Sequence, residues 1–330
     1  MPEVLSGTNK GATHRLEDAF ENLHGWFSQK LTPRLTIASG DTVVCKVRDA
    51  GWADRPPGTP ADKTLGIRPE GAGHALLGPI YVQGAEPGDT LQIDIGEIVP
   101  GDWGYGAHRP GKARISGILG GEPDDVTAPW FRHYFLDRER GVYPFVPGVD
   151  IPSAPFMGIY ATTPADDGPV PTSFPGPHGG NMDCKELKPG TTLFLPVFVP
   201  GALFSVGDGH GAQGDGELDG AAIETGMDRI VLTLTVRKDL KIERPCAEND
   251  THLFFLGFDE DLDTAAVIAT RDALRYLSTT RGLSWDDAYN LGSIAIDLRI
   301  TQVVDGLKGV HAMIPKVLFT KSPLTMREAT

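Results

Sequence analysis

The residues best suited to chemistry lie in a glycine loop, residues 207–220, which reads Gly-Asp-Gly-His-Gly-Ala-Gln-Gly-Asp-Gly-Glu-Leu-Asp-Gly. Its polar side chains are Asp208, His210, Gln213, Asp215, Glu217 and Asp219. Glycine lets a backbone come close to a ligand, and carboxylate and imidazole groups are common ligands of divalent cations. The loop contains no lysine or arginine that would neutralise its acids. Its composition therefore favours a cation site.

A second dense motif, His178-Gly-Gly-Asn-Met-Asp-Cys184, precedes the glycine loop in the chain. A predicted strand over residues 202–206 leads directly into the loop. One strand leaving and one returning would bring Asp183 to the same end of a sheet as Asp208 and Glu217. We therefore interpret the two motifs as parts of one site.

Spacing alone leaves the role of these residues open. The loop does not match an EF-hand, which requires acids at alternate positions, a central glycine and a terminal glutamate. A catalytic metal site, a structural cation site and a plain acidic turn all fit the loop, and Asp183 also fits an Asx turn. Asp49 closes one predicted strand and His74 precedes another, so each fits a structural role as well as a functional one.

A repeated turn predicts the elements that must position these residues. Ser39-Gly-Asp-Thr42, Pro87-Gly-Asp-Thr90 and Pro189-Gly-Thr-Thr192 each open a segment rich in β-forming residues. The repetition predicts a mainly β fold with a duplicated sandwich- or barrel-like body. The turn is also common enough to arise without duplication.

The end of the chain has a different pattern. Apolar residues at helical spacing predict a helix over residues 262–278, and Ser284 with Asp287 predicts the capped start of a second helix through Leu291. Strands are expected over 293–304 and 310–319. We therefore divide the chain into an N-terminal β region (1–100), a second β region with the glycine loop (101–248) and a small α+β C-terminal unit completing the β body (249–330).

The whole-chain composition excludes several classes of function. A net charge of −14 over 330 residues argues against nucleic acids and anionic membranes as partners. No apolar run approaches the roughly 18 residues that could span a membrane, and the first residues show no signal-peptide pattern. The cysteines Cys45, Cys184 and Cys246 are widely spaced and odd in number, which fits a reducing compartment. No serine-hydrolase elbow, phosphate-binding loop or dinucleotide fingerprint is present.

Several long segments together resemble the acetamidase/formamidase family. They are the two motifs above, Gly78-Pro-Ile-Tyr-Val-Gln-Gly-Ala-Glu-Pro-Gly-Asp-Thr90, and residues 35–50, 297–305 and 308–316. The resemblance runs in order along nearly the whole chain. It implies hydrolysis of short aliphatic amides to carboxylate and ammonia, a mainly β body and a cytoplasmic homo-oligomer, for which we favour a dimer. The family often has alanine where this chain has Gly211, and the extra glycine is expected to loosen the loop.

These residues support a metal-assisted mechanism as a hypothesis. Asp183, Asp208 and His210 are the leading candidate metal ligands, with Asp49 as a further candidate. Zinc is the first choice because a histidine is present, and calcium or magnesium also fit because the other ligands are oxygens. Glu217 is the candidate general base.

Other polar residues near these motifs are candidates for contact with the substrate. Gln213 is expected to hydrogen-bond the substrate amide. His178, Asn181 and His74 are candidate substrate-binding residues.

Two alternatives belong to other classes. A metal-free amidase would use Cys184 as its nucleophile and would need a nearby base to form the thiolate. A non-enzymatic β module would bind its ligand through a cation and would release no ammonia from any amide.

Overall fold

A computed structural model describes residues 11–53, 56, 68–108, 130–321 and 324–326. Strands β1 to β11 are Thr13–Leu16, Leu23–His24, Trp26–Phe27, Leu35–Ile37, Asp41–Val47, Leu76–Val82, Thr90–Pro100, Trp103–His108, Trp130–Phe135, Val142–Val146 and Val149–Pro152. Strands β12 to β22 are Phe156–Ala161, Val170–Pro171, Pro175–Gly176, Gly179–Asn181, Thr192–Pro196, Phe204–His210, Met227–Arg237, Cys246–Glu248, His252–Asp259, Asp297–Gln302 and Lys308–Pro315. Helices α1 and α2 are Leu262–Arg281 and Trp285–Ala295.

Two large sheets form the body. One has nine strands in the order β1-β5-β18-β7-β16-β19-β20-β22-β21. The other has seven, in the order β14-β15-β12-β17-β6-β2 with β4 also paired to β6. Both sheets contribute side chains to one hydrophobic core, for example Leu91 and Leu232 from the first and Leu77 and Phe204 from the second. The predicted mainly β class is confirmed.

The three repeated turns have the same local structure. Gly40, Gly88 and Gly190 have φ values of 91°, 87° and 89°, a left-handed conformation that favours glycine. Each turn leads into a strand of the nine-stranded sheet, namely β5, β7 and β16. Buried and less buried residues alternate along β5, which places one of its faces against the core.

The C-terminal α+β unit also follows its prediction. Asp261 caps α1 by accepting from the Thr264 N–H, and Ser284 caps α2 by accepting from the Asp287 N–H. Helix α2 continues to Ala295, so the strand expected from residue 293 begins only at Asp297. Helix α1 packs its alanine-rich face on β20 and β22.

The nine-stranded sheet takes strands from all three predicted regions of the chain. The division into those regions stays a prediction. Within the predicted second β region, residues 109–129 lie outside the described part of the chain. Within the described residues, no helix has the length and hydropathy needed to cross a membrane.

Candidate active site

The site is built at the end of β17, which is buried along its whole length. Asp208 and His210 are two residues apart near the end of this strand, and His210 Nε2 lies 3.4 Å from Asp208 Oδ1. Phe156 of β12 packs edge-to-face on the His210 ring with centroids 5.0 Å apart. The imidazole is therefore held rigidly beside an acid in a buried setting.

Asp183 reaches this point by a different route from the one expected. Strand β16, which follows Asp183 in the chain, belongs to the nine-stranded sheet rather than returning beside the site. Instead β12 lies between β15 and β17, and Asp183 follows β15 directly. Asp183 and Asp208 line the same cavity, as the sequence predicted. Strand β12 lies between β15, which precedes Asp183, and β17, which contains Asp208.

Gly158 of β12 lies directly against the carboxylates of Asp183 and Asp208. A Cβ there would collide with the carboxylate of Asp183, lie 2.6 Å from Asp208 Oδ2 and lie 3.0 Å from His210 Cε1. The Gly158 carbonyl also accepts from the Asp183 N–H at 3.2 Å. The site thus requires glycine at position 158, because the carboxylates of Asp183 and Asp208 occupy the space that a side chain would fill.

Two acidic triads share His210. One carboxylate oxygen each from Asp183 and Glu217 and a ring nitrogen of His210 lie within 4.8 Å of one another, and the same holds for Asp208, His210 and Glu224. His210 Nε2 is 3.7 Å from Glu224 Oε2. In the part of the chain that the structure describes, the buried Glu217 Oε2 has no hydrogen-bond partner. This donor set fits a divalent cation.

Sequence reasoning missed two of the acids. Glu224 lies four residues beyond Gly220, the end of the glycine loop. It forms β-bridges with His210 and Tyr105. Asp305 follows β21 and lines the same cavity. In the sequence, Glu224 is an isolated acid between Ile223 and Thr225. Asp305 ends the segment 297–305, whose resemblance to the family was the signal that could have pointed to it.

These side chains line a cavity of about 220 Å³. The acids are Asp183, Asp208, Glu217, Glu224 and Asp305. Among the described lining residues, Arg68 is the basic one besides histidine, and its guanidinium donates to the Ala72 carbonyl at 2.6 Å. The cavity is small, and its negative charge calls for a cation or for bound protons.

Burial raises the pKa of the Asp183 carboxyl well above its usual range, and the charge of Asp305 raises it further. Burial also raises the pKa of Glu217 well above its usual range, with the charge of Asp183 adding to the effect. The cause is shared, because ionised carboxylates lose solvation and repel one another in the cavity. In the absence of a cation, these shifts favour the protonated forms of both acids.

The pKa values of His210 and Asp208 shift in the directions that favour their charged forms. Burial lowers the pKa of His210, but the carboxylates of Asp208 and Glu224 outweigh it and hold that pKa well above its ordinary value. Burial raises the pKa of Asp208, but His210 and His74 bring it below its ordinary value. Asp208 is therefore the acid that most readily stays ionised.

Gln213 contacts protein groups at both ends of its side-chain amide. Its Nε2 donates to the Asp183 carbonyl at 2.8 Å, which turns its Oε1 toward His210 Nδ1 at 2.9 Å. Because an amide oxygen only accepts, Nδ1 carries a proton and Nε2 faces Asp208 and Glu224. The substrate contact expected for Gln213 remains a prediction, and these bonds favour a supporting role.

Asp49 lies behind the cavity wall rather than among its lining residues. Its carboxylate accepts from the Tyr105 hydroxyl at 2.8 Å, from the Gly51 N–H at 3.0 Å and from the Ala53 N–H. Burial raises its pKa to about 6. The structure thus places Asp49 where it orients Tyr105, which does line the cavity.

The three predicted substrate-binding residues separate into two groups. His74 and Asn181 line the cavity. Asn181 Nδ2 donates to Asp183 Oδ2 at 2.9 Å, and among the described residues its Oδ1 has no partner. His178 lies outside the cavity, packs edge-to-face on Phe27 and has a pKa lowered to about 4 by burial.

The remaining candidates are explained by packing. Cys184 is 1% exposed within the main core and burial raises its pKa to about 12, which disfavours a thiolate nucleophile. A Cβ at Gly211 would lie 2.5 Å from the Tyr143 hydroxyl oxygen. Gly211 is buried and makes room for Tyr143, contrary to the expectation that it loosens the loop.

The sequence matches the Acetamidase/Formamidase family over residues 11–174 and 169–321. The acetamidase of Mycolicibacterium smegmatis is 32% identical over 214 residues, which make up 46% of this chain and 51% of that protein. The chain spans about half the length of the curated relatives it matches.

Solved structures agree over a larger part of the chain. An acetamidase from Bacillus halodurans is 31% identical with a TM-score of 0.83, covering 93% of this chain and 99% of that one. An acetamidase from Yersinia enterocolitica is 28% identical with a TM-score of 0.85, covering 96% of each chain. With the family match extending from residue 11 to residue 321, this chain belongs to the Acetamidase/Formamidase family.

Proposed function

We propose that this protein hydrolyses short aliphatic amides of the formamide or acetamide type to a carboxylate and ammonia. The observation that carries the proposal is the pair of buried acidic triads around His210 in a cavity of about 220 Å³. The size of the cavity suits a substrate of a few heavy atoms. The names of the relatives support the same substrate class.

The donor set supports a divalent cation held by Asp183, Asp208, His210 and Glu224. Zinc is the first choice because an imidazole nitrogen accompanies the carboxylates, and calcium or magnesium are the alternatives. When bound, such a cation acidifies water and polarises an amide carbonyl.

Glu224→Gln should lower the metal content of the purified protein, measured by elemental analysis, with Asp219→Asn from the exposed end of the loop as the control.

The protein groups would move the protons. Among the described residues, Glu217 Oε2 has no hydrogen-bond partner, which supports Glu217 as the group that takes a proton from the attacking water and returns it to the leaving nitrogen. The Oδ1 of Asn181 also has no partner within the described part of the chain, which supports it as an acceptor for the substrate NH₂ group. His74 and the Tyr105 ring complete the wall against which a small acyl group would lie.

Ammonia release from formamide and acetamide tests the function. The assay is run on the purified protein, after dialysis against a chelator, and after return of zinc, magnesium or calcium singly. We expect activity to disappear with the chelator and to return with one metal. Activity that survives chelation and is lost on thiol alkylation would favour Cys184. Failure to release ammonia from these or larger amides would favour the binding module.

Glu217→Gln tests the proton-transfer role within that assay. We expect turnover to vanish while the circular dichroism spectrum and thermal midpoint stay near the parent values. Asp219→Asn changes an exposed acid in the same loop and should keep activity. Near-normal turnover by Glu217→Gln would exclude Glu217 as the base.

The family membership also supports a homo-oligomer, with a dimer favoured, and a cytoplasmic location. Light scattering on the eluting chromatographic peak would test the oligomeric state. A mass equal to that of one chain would contradict it.

A further inference from the structure

A network of charged side chains connects the C-terminal unit to both segments that carry site acids. Arg299 of β21 donates to Asp215 Oδ2 through Nε at 2.7 Å and again through Nη2. Its Nη1 donates to Glu186 Oε1 at 2.7 Å. Lys185 Nζ lies 3.4 Å from Asp215 Oδ1, and Lys188 Nζ lies 3.7 Å from Glu186 Oε2. Arg299 thus binds both acids of this network, Asp215 and Glu186.

The acids that Arg299 binds lie close in sequence to site residues. Asp215 is two residues before Glu217, and Glu186 is three residues after Asp183. Arg299 therefore links, through a single guanidinium, one acid of the glycine loop to one acid that lies two residues after the second motif. The planar fork of arginine suits this double contact, whereas a lysine ammonium would act as a point charge.

Backbone contacts attach the same part of the glycine loop to β21. The Gly216 N–H donates to the Thr301 carbonyl at 3.0 Å, and the Val303 N–H donates to the Gly216 carbonyl at 3.2 Å. Gly216 and Gln302 form an isolated parallel bridge. The end of β21 is thus paired with the loop through one isolated bridge just before Glu217.

Glu217 needs such support because its backbone is strained. Its φ of 46° lies in the left-handed region, which is unfavourable for a residue with a side chain. This conformation persists only where neighbouring contacts enforce it. The ion pairs are partly shielded from water, with the Arg299, Asp215 and Glu186 side chains 31%, 26% and 12% exposed.

We propose that Arg299 is a positioning residue that holds Glu217, through Asp215, and Asp183, through Glu186, in their working places. The C-terminal unit then supports the site in addition to extending the sheet. This inference rests on the proposed function for its kinetic consequences. Its structural consequence, order at residues 214–218, does not depend on the substrate.

Arg299→Met and Arg299→Lys test the proposal, with Arg275→Met as the matched control. Arg275 also lies between two acids, Asp272 and Glu243, but on α1 away from the site. We expect Arg299→Met to lower kcat about 10- to 100-fold, the range seen when outer supports of a metal site are removed. KM should change less than about twofold, because the support acts on the reacting groups rather than on substrate affinity. Arg299→Lys should recover part of the loss.

Hydrogen–deuterium exchange gives a readout without turnover. The peptide spanning residues 214–218 should exchange faster in Arg299→Met and in Asp215→Asn than in the parent, and at the parent rate in Arg275→Met. If Arg299→Met does not fold, Asp215→Asn and Arg299→Lys carry the test. Parent-like kcat together with parent-like exchange would overturn the proposal. If the parent released no ammonia, faster exchange in the variants would still support the positioning role.

Discussion

At the scale of the residue, three site acids share an unusual backbone. Asp183, Asp208 and Glu217 have φ values of 46°, 61° and 46°, all in the left-handed region. Residues with side chains rarely adopt this conformation, and its cost is offset only where the surrounding structure holds them. The same three residues line the cavity with His210. Backbone strain therefore coincides with the residues that we propose for the reaction.

Gly158→Ala should disable the site by sterics alone. The added methyl group would occupy space held by the carboxylates of Asp183 and Asp208 and approach His210 Cε1 to 3.0 Å. We expect loss of cation binding, measured by titration calorimetry with zinc chloride, and loss of amide turnover. Gly168→Ala is the control, because a Cβ there meets no atom within 4 Å. Parent-like zinc binding by Gly158→Ala would contradict the described geometry.

Gly211→Ala should destabilise the fold because Tyr143 fills the space a methyl group would need. The new Cβ would lie 2.5 Å from the Tyr143 hydroxyl and 2.9 Å from Cζ. Overpacking of a buried position costs about 1–3 kcal/mol of unfolding free energy. Urea denaturation would measure the change, with the exposed Gly214→Ala, which meets no atom within 4 Å, as control. Equal stability of the two variants would refute this reading.

At the scale of the element, the helix-on-sheet contact of the C-terminal unit depends on a glycine in β20. Helix α1 packs its buried alanines on β20 and β22, so the two backbones approach closely. Both helices have side-chain caps, which fix where each begins, and the cap of α2 at Ser284 is the one that the sequence predicts. Capping residues set where each helix begins. The small residues, Gly257 and the buried alanines of α1, set the distance between α1 and the sheet.

Gly257→Ala tests that contact. A Cβ at this position would lie 2.6 Å from the Ala269 nitrogen and would also collide with the Ala265 carbonyl. Because backbone atoms cannot rotate away, we expect α1 to be displaced at a cost of about 1–3 kcal/mol. Thermal unfolding would show a lowered midpoint, and Gly168→Ala again serves as control. A midpoint equal to that of the control would mean that α1 does not pack as described.

At the scale of the whole molecule, stability should depend on two buried histidines that are not among the cavity-lining residues. His24 bonds the Ser205 hydroxyl and the Trp26 carbonyl, and His311 bonds the Thr301 hydroxyl. Burial lowers the pKa of each from 6.5 to about 4. Each ring is therefore held neutral in the folded protein at a pH where the unfolded chain would be protonated.

The contribution of His24 and His311 to the unfolding free energy should fall as the pH drops below 6.5 toward 4. In the unfolded state these two rings take up protons in this window and in the folded state they do not, so each contributes up to about 1.4 kcal/mol per pH unit. The contribution is fully present above this window. The raised pKa values of Asp49 and Glu217 act in the opposite direction, so the test compares His311→Gln with the parent. Urea denaturation at several pH values should show a smaller loss of stability toward low pH in the variant than in the parent. Equal pH slopes for the two proteins would contradict this assignment.

Much of the architecture could be predicted because it follows from local chemistry. The turns at Gly40, Gly88 and Gly190 each require a left-handed residue before a strand, and each is found. The caps of α1 and α2 likewise depend on residues within three positions. The start of β21 was misplaced because α2 continues through Ile294, a β-branched residue that fits either element.

The sequence by itself determined the family and the mainly β class, and it predicted a group, Asp183, Asp208, His210 and Glu217, whose members line one cavity. These depend on residue types and spacing within short segments, which the chain order preserves. Only the tertiary structure decided that Glu224 and Asp305 join the cavity while Asp49 and His178 stay outside it. It also decided that Asp183 meets Asp208 across β12. Such contacts depend on pairing between distant strands and on a side chain's absence at Gly158, which no local pattern encodes.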